Sequence, residues 1–259
     1  MKIYNLRINY EDRKIILTAS VQFHNAVYEI FYAYSERFKG FINKTYDPFL
    51  AALLIPAMKE GEDIEIVGDI SKKLLENTKK IQDIFQVWFP GVFRRIKIIP
   101  QKTREDNIYS NKQRVSASFF SMGIDSFYTL LKEDSIRYLV FIKGLELPLF
   151  AYEKIDFSDL EERLNEIASH YNKELIIGET NIRDVFRLNY EDYHSGGCLS
   201  SVALSISGQI NNFFIPSSFS YSFSPPSGSS IQTDYLYSTE YLQLIHHGCE
   251  STRVSKTVD

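Results

Sequence analysis

The hexapeptide Ser121-Met-Gly-Ile-Asp-Ser126 gathers two hydroxyls, a glycine and a carboxylate into one short turn. It follows the apolar run Val115-Ser-Ala-Ser-Phe-Phe120 and precedes Phe127-Tyr-Thr-Leu-Leu-Lys132, where Phe127, Leu130 and Leu131 recur on one helical face. A strand, a turn and a helix in that order aim unpaired backbone N–H groups and the positive end of a helix dipole at one point, which makes an anion site. Asp125 and Ser126 are residue types that suit a helix N-terminus. A plain serine-rich turn capping an ordinary helix is the other reading of the same residues.

Further residues with chemistry lie downstream. His194 precedes Ser195-Gly-Gly197 at the start of a helical pattern, where it can touch a substrate or a phosphate. His246-His247-Gly248 ends an apolar strand, and either imidazole there can serve in acid–base work or bind a phosphate oxygen. Lys143 and Arg253 are candidate phosphate contacts, because charge-assisted hydrogen bonds to phosphate are strong. The stretch 215–240 is rich in hydroxyls, glycine and proline, and it follows a strand. Within it Ser217, Ser218, Tyr221, Gly228, Ser229 and Glu240 are candidate pocket residues. An inert serine-rich flap is the alternative. The histidines and cysteines do not form a metal-ligand spacing, and neither Cys198 nor Cys249 sits in a motif that demands a nucleophilic thiol.

The elements that must position these groups can be read from hydrophobic periodicity. Residues 2–9 and 13–22 predict a hairpin turning at Glu11-Asp12, and 25–38 can continue it as a third strand. A helix is predicted from Asp47 to Gly61, a strand over 63–67, a turn at Gly68-Asp69, a helix from Ser71 to Trp88 and a strand over 95–99. This first block, residues 1–105, reads as a small α/β domain, and polar residues 101–113 read as the linker out of it. Residues 106–259 then alternate strands (138–142, 174–177, 212–215, 241–245) with helices (158–171, 182–188 and one from Gly196). Ser158 is the expected N-cap of the first, with Glu161 completing a capping box. That order predicts a doubly wound parallel sheet of the nucleotide-binding kind, with the turn at Ser121–Ser126 at its carboxyl edge.

Composition narrows the classes. The formal charge of −4 and the absence of a basic run speak against a nucleic-acid surface. No stretch is apolar enough for a membrane span, and the N-terminus lacks a secretory hydrophobic segment. The expectation is a cytoplasmic α/β protein with two free thiols.

The turn and its setting resemble the PP-loop of the ATP pyrophosphatases, whose signature is Ser-Gly-Gly-x-Asp-Ser; Met122 is the departure, five of the six positions agreeing. The resemblance implies the fold of the adenine nucleotide alpha hydrolase-like (HUP) group, here preceded by the small α/β domain. The segments Ser126–Leu130, Ile215–Ser218, Gly228-Ser229, Ser238–Glu240 and His246–Gly248 are similar to a little-characterised subgroup, related to the 7-cyano-7-deazaguanine synthase-like and asparagine or argininosuccinate synthetase-like enzymes. Such proteins generally continue into a segment carrying several cysteines, which this sequence lacks, and no helix is expected after the strand at 241–245. The resemblance implies ATP and Mg²⁺ as cofactors, with Ser121, Gly123, Ile124 and Ser126 at the triphosphate. Lys143, Ser217 and Ser218 would join them. It implies that Asp125 fixes the loop or holds the metal. In that setting Asp125, His194 and His247 are the candidate catalytic residues, and Tyr221, Gly228, Ser229, Glu240, His246 and Arg253 the substrate contacts. If Met122 must take a positive φ it strains the turn, and its side chain can crowd the phosphates.

The implied activity is transfer of AMP to a carboxyl or carbonyl oxygen with release of pyrophosphate, followed by attack of a nitrogen or sulfur nucleophile. The implied substrate is a small-molecule carboxylate or amide; a partner protein or carrier and a homodimer stay open. A rival reading is a nucleotide-binding or partner-binding protein that kept the fold and lost the chemistry. A tRNA-modifying enzyme is a third, against which the acidic charge counts.

Overall fold

The structure is a computed structural model and describes residues 1–105, 114–152 and 156–258. Strands β1 (Lys2–Glu11), β2 (Lys14–Phe23) and β3 (Ala26–Ser35) form an antiparallel meander. The β1–β2 link is two residues, Asp12 and Arg13, both with positive φ (47° and 60°), as a tight hairpin matched to strand twist requires. Helix α1 (Asp47–Glu60), β4 (Ile64–Ser71), α2 (Lys72–Trp88) and β5 (Ile98–Arg104) follow. The strand expected over 95–99 is therefore shifted, and 101–104 of the expected linker belong to β5; the linker's residues 106–113 lie outside the described residues. Gly68 and Asp69 lie within β4, where the register with β5 shifts between Ile66 and Asp69, so the local signal for a turn marks an irregular pairing.

The second half alternates β6 (Val115–Phe119), α3 (Ile124–Lys132), β7 (Ile136–Lys143), the single turn α4 (Leu149–Tyr152), α5 (Ser158–His170) and β8 (Glu174–Thr180). It continues with the short α6 (Ile182–Val185), α7 (Ser195–Ser205), β9 (Ile210–Pro216), β10 (Gln243–His247) and α8 (Arg253–Val258). Three expectations are corrected here. Ser158 is not the N-cap of α5: its amide and hydroxyl both donate to Asp156 Oδ1, at 3.0 and 2.6 Å. The helix at 182 stops at Val185 rather than 188. A helix, α8, does follow β10.

Among the described residues, ten strands join one sheet in the order β10-β9-β6-β7-β8-β3-β2-β1-β4-β5. The sheet is mostly parallel, and the protein is of the Rossmann-like α/β class. β8 pairs antiparallel with β3, so the first and second halves share hydrogen bonds as well as a core. The chain moves from β6 outward to β7 and β8, then returns to lay β9 on the other side of β6. That reversal puts the helices on opposite faces. α3 and α5 cover one core with Phe120, Leu139 and Phe141, while α1 and α7 cover the other with Phe119, Val140 and Ile142. The alternation of Leu139, Val140 and Phe141 between cores is the period-2 pattern of a strand buried on both faces.

Candidate functional site

The carboxyl ends of the strands around that reversal open into a cavity of about 770 Å³. Open α/β sheets bind ligands at such a switch point, and the volume lies in the range of small-molecule sites. Its floor is the turn between β6 and α3, with Ser121, Gly123, Asp125 and Ser126 in the lining. Gly123 is the N-cap of α3 with φ −82° and ψ 163°, and its carbonyl accepts from the Phe127 amide and from Ser126 Oγ at 2.8 Å. The serine hydroxyl thus closes the turn on itself. The first amides of α3 face no preceding helical turn and carry the positive end of its dipole.

Met122 takes φ +61°, the strained conformation that its type disfavours. Its side chain does not crowd the cavity. It turns with Ile124 into a separate shallow cleft beside Phe127 and Leu131, and packs on the core under α3 and α5. Ile124, expected at the nucleotide, is therefore directed away from it.

Asp125 is the hub of the site. It is 7 % exposed, and Oδ1 accepts from Lys256 Nζ at 3.1 Å while Oδ2 accepts from Arg253 Nε at 3.1 Å and Ser218 Oγ at 3.3 Å. Lys256, a residue with no motif in the sequence, is buried and donates also to the Ser217 carbonyl at 2.6 Å, with the Tyr128 ring 5.3 Å away. Two cations therefore occupy the carboxylate. Among the described residues no group of three or more His, Cys, Asp or Glu side chains could hold a metal ion. The bonds of Asp125 tie the turn to α8 and to the segment after β9.

Of the other expected residues, Ser218, Ser229, His246 and Arg253 line the cavity. His246 Nδ1 lies 2.7 Å from Asp234 Oδ2, with both side chains buried. Burial opposes protonation of this imidazole, but its bonds to Asp234 and Cys249 and the carboxylate's charge outweigh it, and its pKa is pushed up to about 9. Arg253 reaches into the lining with its side chain 62 % exposed and its guanidinium paired with Asp125.

The remaining candidates are placed elsewhere. His194 is 1 % exposed, with Nε2 2.7 Å from the Ala52 carbonyl, and burial holds its pKa down at about 4. It joins α7 to α1. His247 points to the α3 side of β10, with Thr129 Oγ1 at 3.0 Å and Glu133 at 3.3 Å, and burial lowers its pKa. Lys143 sits 3.7 Å over the Phe157 ring. Ser217 lies behind the wall, bonded to Phe219. Tyr221 is 69 % exposed and points to solvent. Glu240 accepts from Ser71 Oγ at 2.6 Å and the Lys73 amide at 2.8 Å, closing the N-terminus of α2. Gly228 works through its backbone, which exchanges hydrogen bonds with Glu191 and Gly196; a Cβ there would stand 2.8 Å from the His194 nitrogen.

Residue types and spacing did not mark the outer wall. It comes from the π-helical turn Tyr190–His194 before α7, which contributes Tyr190, Glu191 and Asp192, and from Glu146 after β7. Burial raises the Glu146 carboxyl despite Arg183 nearby. The cavity lining thus carries Arg253 and His246 together with an acidic rim of Glu146, Glu191 and Asp192.

No protein-family model, no curated protein and no solved structure matches this chain.

Proposed function

We propose that the chain is an ATP-dependent adenylating enzyme of the PP-loop kind, acting on a small-molecule carboxylate or amide. The observation that carries this reading is the Ser121–Ser126 turn, which opens at the N-terminus of α3 into the cavity at the sheet's reversal point. ATP would supply the AMP group and pyrophosphate as the leaving group. The turn amides with Ser121 would bind the phosphates, and Arg253 would leave Asp125 to meet their charge. Val140, Ile142 and Phe119 offer an apolar wall for the base, and Ser229 and the acidic rim face the remaining space for an acceptor. Because Asp125 is taken, Mg²⁺ is proposed to enter on the phosphates with its water, as this ion commonly does. In such a site the protein's work is positioning and charge stabilisation.

The test is pyrophosphate release from ATP across a panel of carboxylates and amides. The reading expects release that depends on one acceptor class and falls about tenfold or more in Arg253→Gln, as loss of a charge-assisted contact implies. Release of inorganic phosphate alone, or none with any acceptor, contradicts it. A second reading, a nucleotide-binding protein without the chemistry, draws on the strained Met122 and on the neutralised Asp125. Saturable ATP binding without acceptor-dependent pyrophosphate would favour it.

A further inference from the structure

Asp234 opens the 3-10 turn Asp234–Tyr237, and His246 lies near the carboxyl end of β10. Leu244 is buried in the core under α1 and α7, while Ile245 packs on the opposite core. Strand alternation therefore carries His246 along the Leu244 face to the end of the strand, where it enters the cavity lining. Asp234 meets it there. This carboxylate has no exposed surface; its Oδ2 accepts from Ser229 Oγ at 2.6 Å and its Oδ1 from the Ser230 amide at 3.2 Å. Gly196 of α7 makes room for it, since a Cβ there would stand 2.7 Å from Oδ1. The Oδ2 atom, 2.7 Å from His246 Nδ1, is thus fixed.

We propose that His246 is an imidazolium donor to the cavity's ligand: Asp234, as positioning residue, holds the ring by Nδ1–H, and Nε2–H binds an anionic oxygen. An ionised carboxylate away from water requires a cation beside it. His246, with its side chain 6 % exposed, is the cation that the described residues place against Asp234. A doubly protonated ring donates from both nitrogens and accepts at neither. With Nδ1 spent on Asp234, Nε2 is the donor left, and the ring that bears it lines the cavity. The pKa near 9 keeps that ring charged at neutral pH, so it serves as a donor there and not as a base. The titratable groups packed around it are Asp234 and Cys249, whose thiol is engaged with Ser217 Oγ at 3.3 Å. The paired strand β9 sets Ile215 beside it. Arg253, a second cation in the lining, holds its charge throughout. The sources of the bound oxygen rest on the adenylation reading: a phosphate of the nucleotide or the carboxylate of the acceptor.

The test is a nuclear magnetic resonance titration of the full chain, isotope-labelled at histidine, with the His246 ring signals assigned by their loss in His246→Gln. The expected ring is doubly protonated at pH 7, with a midpoint above the usual histidine value of about 6.5, and Asp234→Asn lowers that midpoint. Inorganic phosphate, Mg-ATP and the carboxylates of the acceptor panel are then added in turn. The Nε2 signal should shift with at least one: a response to Mg-ATP marks a phosphate contact, and a response to the panel marks an acceptor carboxylate. By calorimetry the affinity for the responding probe should fall as pH rises through the His246 midpoint. It should drop about tenfold in His246→Gln, as loss of a charge-assisted bond implies. In Asp234→Asn the fall should move to lower pH, a displacement that a merely structural role would not produce. A neutral ring at pH 7, an Nε2 signal that no probe moves, or an affinity flat across the midpoint overturns the proposal. The wild-type arms decide it even where a variant fails to fold. A response to inorganic phosphate without Mg-ATP binding supports the donor and counts against the adenylation reading instead.

Discussion

Met122 shows how one backbone angle separates strain from function. Its φ of +61° costs an L-residue about 1–2 kcal/mol, while its side chain packs away from the cavity. Met122→Gly relieves the strain without opening phosphate space, so ATP affinity should stay within about twofold by calorimetry, less than the tenfold that about 1.4 kcal/mol would give. A tenfold gain would mean that the side chain obstructs the site. Lys256 makes the complementary case. Its ammonium is buried between Asp125 and the Ser217 carbonyl, and Lys256→Met leaves that carbonyl without this donor and Asp125 with Arg253 alone among its cations. A loss of about 2 kcal/mol in urea unfolding is expected; an unchanged midpoint would show that the contact is not maintained in solution. The hexapeptide was legible because hydroxyls, glycine and carboxylate crowd into six positions. Lys256 was not, because its partners stand 39 and 131 residues away in the chain.

At the scale of elements, periodicity located nearly every strand and helix, since one-sided burial imprints the pattern directly. It failed where tertiary pairing overrode local signals. Gly68-Asp69 reads as a turn yet stays in β4, and polar residues 101–104 form an edge strand beside it. The same limit moved Glu240 from pocket to helix cap, because Ser71 and Lys73, which it holds, lie in the other half of the chain. Asp47 at the start of α1 ties these pieces together: it is fully buried, bonded to Arg104 of β5, to Tyr241 Oη at 2.8 Å and to the Ser71 amide at 2.9 Å. Burial raises its pKa despite the guanidinium. Arg104→Met should cost about 3 kcal/mol by leaving that carboxylate without its cation, and Asp47→Asn in the same chain should recover part of it. A double variant that loses the sum of the two single losses would deny the coupling.

Over the whole molecule, two buried histidines set opposite pH limits. His246, raised to about 9, binds its proton more tightly folded than unfolded, so its stabilisation is complete below about 6.5 and fades as pH rises through 9. His194, lowered to about 4, stays neutral when folded, so stability falls as pH drops from about 6.5 toward 4. Thermal unfolding should therefore peak near pH 6–7, and His246→Gln should flatten the alkaline limb alone. An unchanged alkaline limb would contradict the buried Asp234–His246 pair. The sheet's reversal, foreseen from element order, assembles the cavity, yet its outer wall at Tyr190–Asp192 depends on a π-helical turn that no residue pattern announces. The central claim, that the Ser121–Ser126 turn is a nucleotide site, is tested most directly by calorimetric titration with Mg-ATP of the wild type and Gly123→Val. Gly123 has an ordinary φ, and only Ser121 Oγ, at 3.4 Å, stands near a Cβ built there, so the variant should fold while its side chain fills space beside the cavity floor. Saturable binding that Gly123→Val abolishes, with its Tm kept, is the predicted result; no binding at millimolar ATP, or equal binding by both proteins, would contradict the account.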